Sequence, residues 1–564
     1  MNEASTTLRA GFGRASLTVF EPGMCMFGWG HPGNVCEGVA TELYARAMAV
    51  EDPASGRRFV YVCCDLGMIS ESLRQAVVRR VCAPGSGLTE HDVMLTATHT
   101  HSGPSGFSTY FFYALSGPGV SPRVHDALAD GVAAAVRAAL AALRPARAWV
   151  HAGWIPATEA LSFNRSIEAY NCNEDAMPVS WERRDEAVDR TMTVLRVDDE
   201  AGVPLGLVSW FPVHGTSVHS DYQRLHGDNK GCAARACEAW ARERGHAGFV
   251  ALFAQESAGD VTPNYRWSRS RGRMIGRYQH DEESAAAHGD AQSRHARALW
   301  SAAREDGEAV RGPVTTAIRY RDFLSLTPDA RFGGTVDART SAPRLGVAFA
   351  AGTLEGAGPL FPARRAMPLL TRVRARVVRG FPGDPWRVSQ GNKFPFWDLG
   401  EGGANKVLGV IPVMNPTVHL VRTRSAGYYR DAMDWPFARR SWVPRYLPLQ
   451  VVRFGPLVLA GLPIEPTTVA GRRMRAALAD AWAGDGVTRV VINGYANAYC
   501  SYLTTPEEYD AQRYEGASTL YGRWSLPVYC TELAGLTREM RAGRAQASVG
   551  DTPPVYPLES CKAG

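Results

Sequence analysis

The first 160 residues alternate short apolar runs with stretches whose apolar positions recur every three or four residues. Residues 58–65 (Arg-Phe-Val-Tyr-Val-Cys-Cys-Asp) predict a strand entering a loop, and residues 92–98 predict a second. Residues 124–143 predict an Ala-rich helix, and residues 148–152 begin another strand. That alternation predicts an α/β core. Residues 205–213 and 247–253 are further buried-strand candidates, each running straight into polar residues. Residues 266–306 turn charged and Ala-rich, which predicts a solvated loop and one amphipathic helix. Residues 340–410 are rich in Gly and Pro and read as an irregular segment wrapping the core. Strand character resumes at 451–460 and 487–491, and the chain from Gly550, with Pro553, Pro554 and Pro557, reads as a tail. No internal repeat is visible.

Composition narrows the classes. A chain of 564 residues builds roughly two to four units or one large layered domain. With 45% hydrophobic and 21% charged residues, wholesale disorder is excluded. No apolar run approaches the roughly 18 residues of a membrane-spanning helix. The net charge of +6 comes from 62 basic residues, of which all but Lys230, Lys393, Lys406 and Lys562 are arginine. They are scattered, and the densest run, residues 364–379, is broken by apolar positions, which argues against a nucleic-acid surface. The 11 cysteines are odd in number, unevenly spread and without a CxxC pair; Cys63 and Cys64 read as small core hydrophobes. With no apolar segment near Met1 to act as a signal peptide, the expected location is the cytoplasm.

The strongest chemical signal is Thr96-Ala-Thr-His-Thr-His-Ser-Gly-Pro-Ser-Gly106. Side chains at i and i+2 of an extended segment share a side, so His99 and His101 face one cleft at a strand end, as metal ligands or as loop histidines. His214 ends a second apolar run and strengthens the metal reading. His219 and His226, in loop sequence, are expected at the surface. Asp228, in Gly227-Asp-Asn-Lys-Gly, is expected to cap the Ala-rich helix that follows. Gly259-Asp-Val-Thr-Pro-Asn264 reads as a polar turn in which the Thr262 hydroxyl faces outward to chemistry. Five aromatics within residues 107–113 follow the histidine motif directly, as a core segment or as a wall suited to an acyl chain.

These motifs, together with Asn164-Arg-Ser, His214-Gly-Thr-Ser, Leu462-Pro-Ile-Glu465 and residues 502–515 (Tyr-Leu-Thr-Thr-Pro-Glu-Glu-Tyr-Asp-Ala-Gln-Arg-Tyr-Glu), resemble in their order the neutral ceramidase family over roughly residues 10–530. The resemblance implies a layered αββα-type core with mixed sheets flanked by helices and long irregular loops. It implies one catalytic domain, expected over residues 1–545 with a tail at 546–564; the immunoglobulin-like C-terminal domain typical of the family is expected to be absent, a departure from the family pattern. It also implies a zinc-dependent amidase for a ceramide-like N-acyl amide, with Zn²⁺ held by His99, His214, Glu465 and Tyr502 and one position open to water. His101, Arg165 and Tyr514 match positions that orient substrate and stabilise charge at the carbonyl oxygen.

Family members carry a serine where this chain has Thr262. Its extra methyl crowds attack on a bulky acyl group, so metal-activated water is favoured over an acyl-enzyme, with Thr262 as a hydrogen-bonding residue. The partners expected are small N-acyl amides or their acyl and amine halves, not nucleic acid. Two other readings use the same residues: an amide synthase or acyltransferase in lipid or natural-product assembly, and an inactive lipid-binding homologue.

Overall fold

The computed structural model describes residues 8–20, 24–31, 33–114, 120–333, 335–378, 386–400, 406–407, 411–412, 441–544 and 550–553. Two β-sheets lie face to face at its centre. Among the described residues the larger has nine strands. Their order is Val250–Ala254, Pro204–Trp210, Thr191–Asp199, Arg144–Trp154, Leu8–Ser16, Tyr44–Glu51, Arg58–Cys64 and Val93–Ala97, with Glu308–Ala309 beside Arg144–Trp154. The pairings at its two ends are parallel and those between are antiparallel. The second sheet runs Val314–Asp322, Tyr446–Phe454, Leu457–Gly461, Arg489–Asn493.

The period of two along each strand decides the layering. Phe59, Tyr61 and Cys63 join Phe12 and Met48 in the inter-sheet layer, against Val452, Phe454, Leu459 and Val491 of the smaller sheet. Val60, Val62 and Cys64 point the other way, under helices Glu71–Val81 and Pro122–Ala141. Both cysteines are free and buried, one on each face, as small core side chains. Helices Asp228–Arg242 and Asp281–Ala302 extend the same outer layer over Val194, Leu207, Ala251 and Phe253. Helices Thr468–Ala481 and Ser525–Arg541 cover the far side of the smaller sheet through Met474, Leu478, Val528 and Leu533. The αββα layering and mixed sheets are those expected. Burial on both faces explains why the strands read as near-continuous apolar runs.

Local departures have local causes. The expected run at 451–460 is two strands, because Gly455-Pro456 turns the chain with Gly455 at φ 58°. A Cβ there would lie 2.4 Å from the Arg311 carbonyl oxygen, so only glycine fits. Residues 266–306 are less solvated than composition suggests: after the hairpin Arg266–Ser268 and Arg273–Ile275, helix Asp281–Ala302 buries His288, Gln292, Ala296 and Trp300. Within 340–410 the structure finds strand Arg344–Gly346 and helix Met367–Val378, while 379–385, 401–405 and 408–410 lie outside the described residues. Of the expected tail, 546–549 and 554–564 lie outside them too; Asp551 donates its backbone N–H to the Tyr320 carbonyl at 2.9 Å.

The carboxyl ends of Val93–Ala97, Pro204–Trp210, Val250–Ala254 and Leu457–Gly461 run into the loops that carry the functional residues, the usual place for a site in sheets of this kind.

Candidate metal centre

His99 follows the end of strand Val93–Ala97 and takes a left-handed backbone, φ 63°. The extended alternation expected for His99 and His101 therefore does not hold; this turn aims both rings at one point instead. Loop bonds fix it: His99 N–H donates to Leu66 O at 2.9 Å and His101 N–H to Gly215 O at 3.0 Å. Thr100 and Gly215 form a parallel bridge. A Cβ on Gly215 would sit 2.2 Å from the His99 carbonyl oxygen, so the two histidine loops meet only because residue 215 has no side chain. Gly259 plays the same part beside Glu465, whose carbonyl oxygen would lie 2.6 Å from a Cβ there.

The donor atoms converge. His99 Nε2 lies 3.2 Å from His214 Nε2 and 3.1 Å from His101 Nε2. Glu465 Oε2 lies 3.4 Å from His99 Nε2 and 3.3 Å from His214 Nε2. A tetrahedral ion with bonds of about 2.05 Å spaces its ligands by ~1.63 times that, about 3.3 Å. The triangle His99, His214, Glu465 therefore has the dimensions of one face of such a polyhedron, and the buried trio His99, His101, His214 is a group able to hold a metal ion.

The tautomers fit as well. His99 Nδ1 faces Gly67 O at 2.5 Å and His214 Nδ1 faces Ala258 O at 2.8 Å. Each Nδ1–H donates to its carbonyl, leaving the Nε2 lone pair free for an ion. Burial pushes the imidazoles of His101 and His214 well below the ordinary value, which keeps both neutral. Tyr499 donates to Glu465 Oε1, and Tyr495 donates to Glu465 Oε2 at 3.3 Å.

Tyr502 stands beside Glu465 because strands Glu465–Pro466 and Tyr502–Leu503 pair in parallel, residue for residue. Burial, and then the Glu465 carboxylate, push its phenol well above the ordinary value. Its oxygen accepts from Arg165 Nη2 at 3.0 Å. Arg165 is ion-paired, Nε to Glu515 at 2.9 Å and Nη1 to Glu355 at 2.8 Å, and Nη2 also donates to Gly259 O at 2.9 Å. Four of its five N–H groups are thus engaged. Tyr514 packs edge-on against Tyr502 with ring centres 5.5 Å apart and lies under the Arg165 guanidinium.

Thr262 occupies the short strand Val261–Thr262, paired with Phe163–Asn164, rather than a bare turn. Its hydroxyl donates to Glu355 Oε2 and accepts from Asn264 N–H at 3.0 Å. Glu355 Oε2 also accepts from Asn264 Nδ2 at 2.7 Å and Thr216 Oγ1 at 3.2 Å. A small open pocket adjoins this network, lined by Arg165, Thr262, Asn264 and Glu355 with the more exposed Trp181 and Arg184. Among the aromatics of 107–113, Phe107 and Tyr110 are core residues. Tyr113 meets the Tyr499 ring edge-on at 5.0 Å, and Phe112 packs on Phe349 and Trp397.

Three expectations are corrected. His219 and His226 are buried, not at the surface. His219 stacks on Trp29 and bonds Asp281 at 3.0 Å, and burial pushes His226 down to about 3. Asp228 opens its helix with Gly227 as cap residue, and its carboxylate takes the backbone N–H groups of Ser217 and Val218 as well as Asn229, tying down the loop after His214. The residues that sequence reasoning missed are Glu355, Tyr499 and Tyr495. Glu515 stood inside the quoted 502–515 stretch, but nothing marked it as the partner of Arg165.

Residues 8–381 and 431–531 match the family described as neutral/alkaline non-lysosomal ceramidase, N-terminal. The chain belongs to this family. Similar proteins include the neutral ceramidase of Pseudomonas aeruginosa, 34% identical over 92% of this chain and 70% of its own length. That of Mycobacterium tuberculosis is 31% identical over 95% and 78%. Among solved structures, a ceramidase complexed with C2 superposes with a TM-score of 0.79 at 32% identity, covering 98% of this chain and 78% of that one. The crystal structure of the Pseudomonas aeruginosa neutral ceramidase gives 0.77 at 31%, covering 99% and 79%.

Proposed function

We propose that this ceramidase-family chain is a zinc-dependent amidohydrolase that cleaves a ceramide-like N-acyl amide with metal-activated water. Family membership supports hydrolysis of a ceramide-type amide bond. The observation that supports the metal is the convergence of three imidazole nitrogens and one carboxylate oxygen at 3.1–3.4 Å. Of these, His99, His214 and Glu465 would hold zinc with a position left for water, and the ion would lower that water's pKa and polarise the amide carbonyl.

The chain's own residues supply the rest. Arg165 donates to the Tyr502 oxygen, so the phenol proton points away from Arg165 and is free to bond a ligand or a developing oxyanion. Arg165 therefore acts largely through Tyr502 rather than directly on substrate. His101 is neutral, and among the described residues its buried Nδ1 has no hydrogen-bond partner. Thr262 hands its proton to Glu355, but that carboxylate is shared among Arg165, Thr216, Thr262 and Asn264. With its hydroxyl committed to this shared carboxylate, Thr262 reads as a hydrogen-bonding residue, and water is taken as the nucleophile.

The test is product analysis by mass spectrometry on an N-acyl sphingosine, with chelator-treated, zinc-restored, His214→Ala and Glu465→Gln protein. Sphingosine and fatty acid should appear only with zinc, and both variants should lose zinc and turnover together. Full hydrolysis by verified zinc-free protein defeats the metal reading, and net amide formation under the same conditions defeats hydrolysis.

A further inference from the structure

The basic run at residues 364–379 is set aside as a nucleic-acid surface by its interruptions, and the structure shows what the interruptions do. Helix Met367–Val378 is anchored by Met367 in a small apolar cluster with Val347, Ala348 and Ala517. Phe349 packs against that cluster and stacks on Tyr514 with ring centres 5.7 Å apart, and Tyr514 in turn contacts Tyr502. The helix is therefore joined to the candidate centre through two rings. On its outward side Leu369, Leu370 and Val373 are 63%, 47% and 50% exposed. Of the eleven large hydrophobics exposed among the described residues, these three fall within five positions, whereas most others are scattered singly. Arg372 is exposed one turn along the helix from Leu369, and Arg365 is exposed in the turn that leads into the helix. Arg364 lies over the Phe361 ring at 4.0 Å. From residue 356 to 383 the sequence holds six arginines and no acidic residue.

We propose that this helix docks the cleft onto an anionic lipid surface, with Leu369, Leu370 and Val373 entering the acyl boundary and the arginines meeting acidic headgroups. Exposed leucines ringed by arginine are the composition of an interfacial helix. No described helix is long and apolar enough to cross a membrane, so the element lies on the surface. A second copy of the chain fits worse, because a two-fold contact sets Arg365 and Arg372 against their own copies. Nucleic acid fits worse, because three apolar side chains would be desolvated against phosphate. The proposal stands apart from the zinc reading, since binding is measured without turnover.

The experiment is sedimentation of the full chain with phosphatidylcholine vesicles, with and without phosphatidylserine. Phosphatidylserine should raise binding, and salt should lower it. Arg365→Gln/Arg372→Gln should weaken binding to the anionic vesicles about 25-fold, at about fivefold per arginine. Leu369→Ser/Leu370→Ser/Val373→Ser should weaken it roughly tenfold or more. Both variants should unfold at the parent's temperature and turn over a soluble short-chain amide at the parent's rate, because all five positions are exposed. Equal binding to both vesicle types overturns the proposal, as does binding that neither variant changes. A concentration-dependent dimer dissolved by the apolar triple variant would overturn it as well, assigning the face to a second copy.

Discussion

Gly215→Ala tests whether the candidate metal centre depends on the contact between the two histidine loops. The added Cβ would lie 2.2 Å from the His99 carbonyl oxygen, 2.7 Å from its carbon and 2.9 Å from the Thr100 Cα. All three atoms are backbone, so no rotamer relieves the overlap. Ordinary contact needs about 3.5 Å, and the loops must part by roughly 1 Å. They carry His99 and His214, whose Nε2 atoms are 3.2 Å apart, while ligand positions in a metal site hold to about 0.2 Å. Shifts behind ligating histidines already cost 10- to 100-fold in affinity, so Gly215→Ala should lose about 100-fold or more for zinc. Overpacking should add about 1–3 kcal/mol of destabilisation. Calorimetric zinc titration of chelator-treated protein, with thermal unfolding alongside, reads both. Gly248→Ala is the control: its Cβ meets nothing within 4 Å, and stability should change by no more than about 0.5 kcal/mol. If Gly215→Ala binds zinc within about threefold of the parent, the loops do not position the imidazoles as argued.

Two further predictions concern buried polar groups. Thr262→Ser should keep full turnover, and Thr262→Val should lose about tenfold; complete loss with zinc retained would instead make Thr262 the nucleophile. Glu71, buried and accepting from Tyr110 Oη at 2.6 Å, has its carboxyl pushed by burial up to about 7 from 4.5. The folded chain holds a proton that the unfolded chain releases, so this group's contribution falls as pH rises from 4.5 through 7. The loss amounts to about 3 kcal/mol. Glu71→Gln has no proton to lose and should gain on the parent by that order between pH 5 and 8 in urea unfolding; parallel profiles would contradict the assignment.

The layered core was legible because period and burial agree there. Residues 58–65 pack alternate side chains on opposite faces, and both faces are apolar, so the run announces a strand whichever neighbours it has. Helix Pro122–Ala141 was legible for the same reason, with Ser121 accepting from the Val124 N–H to mark its start. What failed were inferences from polarity to exposure. His219 and His226 are polar and lie in loops, yet buried bonds to Asp281 and the Asp228 backbone satisfy them. Polarity predicts exposure only where no partner waits inside, and the partner is a tertiary fact.

The site divides along the same line. His99, His101 and His214 stand at the ends of apolar runs, so a strand-end reading finds them; Glu465 and Tyr502 enter only through the family resemblance, and their parallel pairing then explains why they arrive together. The carboxylate that organises the other half of the cleft, Glu355, gives no local sign, lying in a Gly-rich segment among irregular turns. It takes bonds from Arg165, Thr216, Thr262 and Asn264, residues between 91 and 190 positions away, and only closure of those loops makes it an acceptor. The consequence is electrostatic. Arg165 has carboxylates on two sides, Glu355 and Glu515, so its charge is balanced before any ligand arrives. It can then hold the Tyr502 oxygen without presenting an unpaired cation to an apolar acyl chain. Removing Glu355 would leave Glu515 to hold Arg165 and would free the Thr262 hydroxyl, so this one side chain ties the two halves of the cleft together.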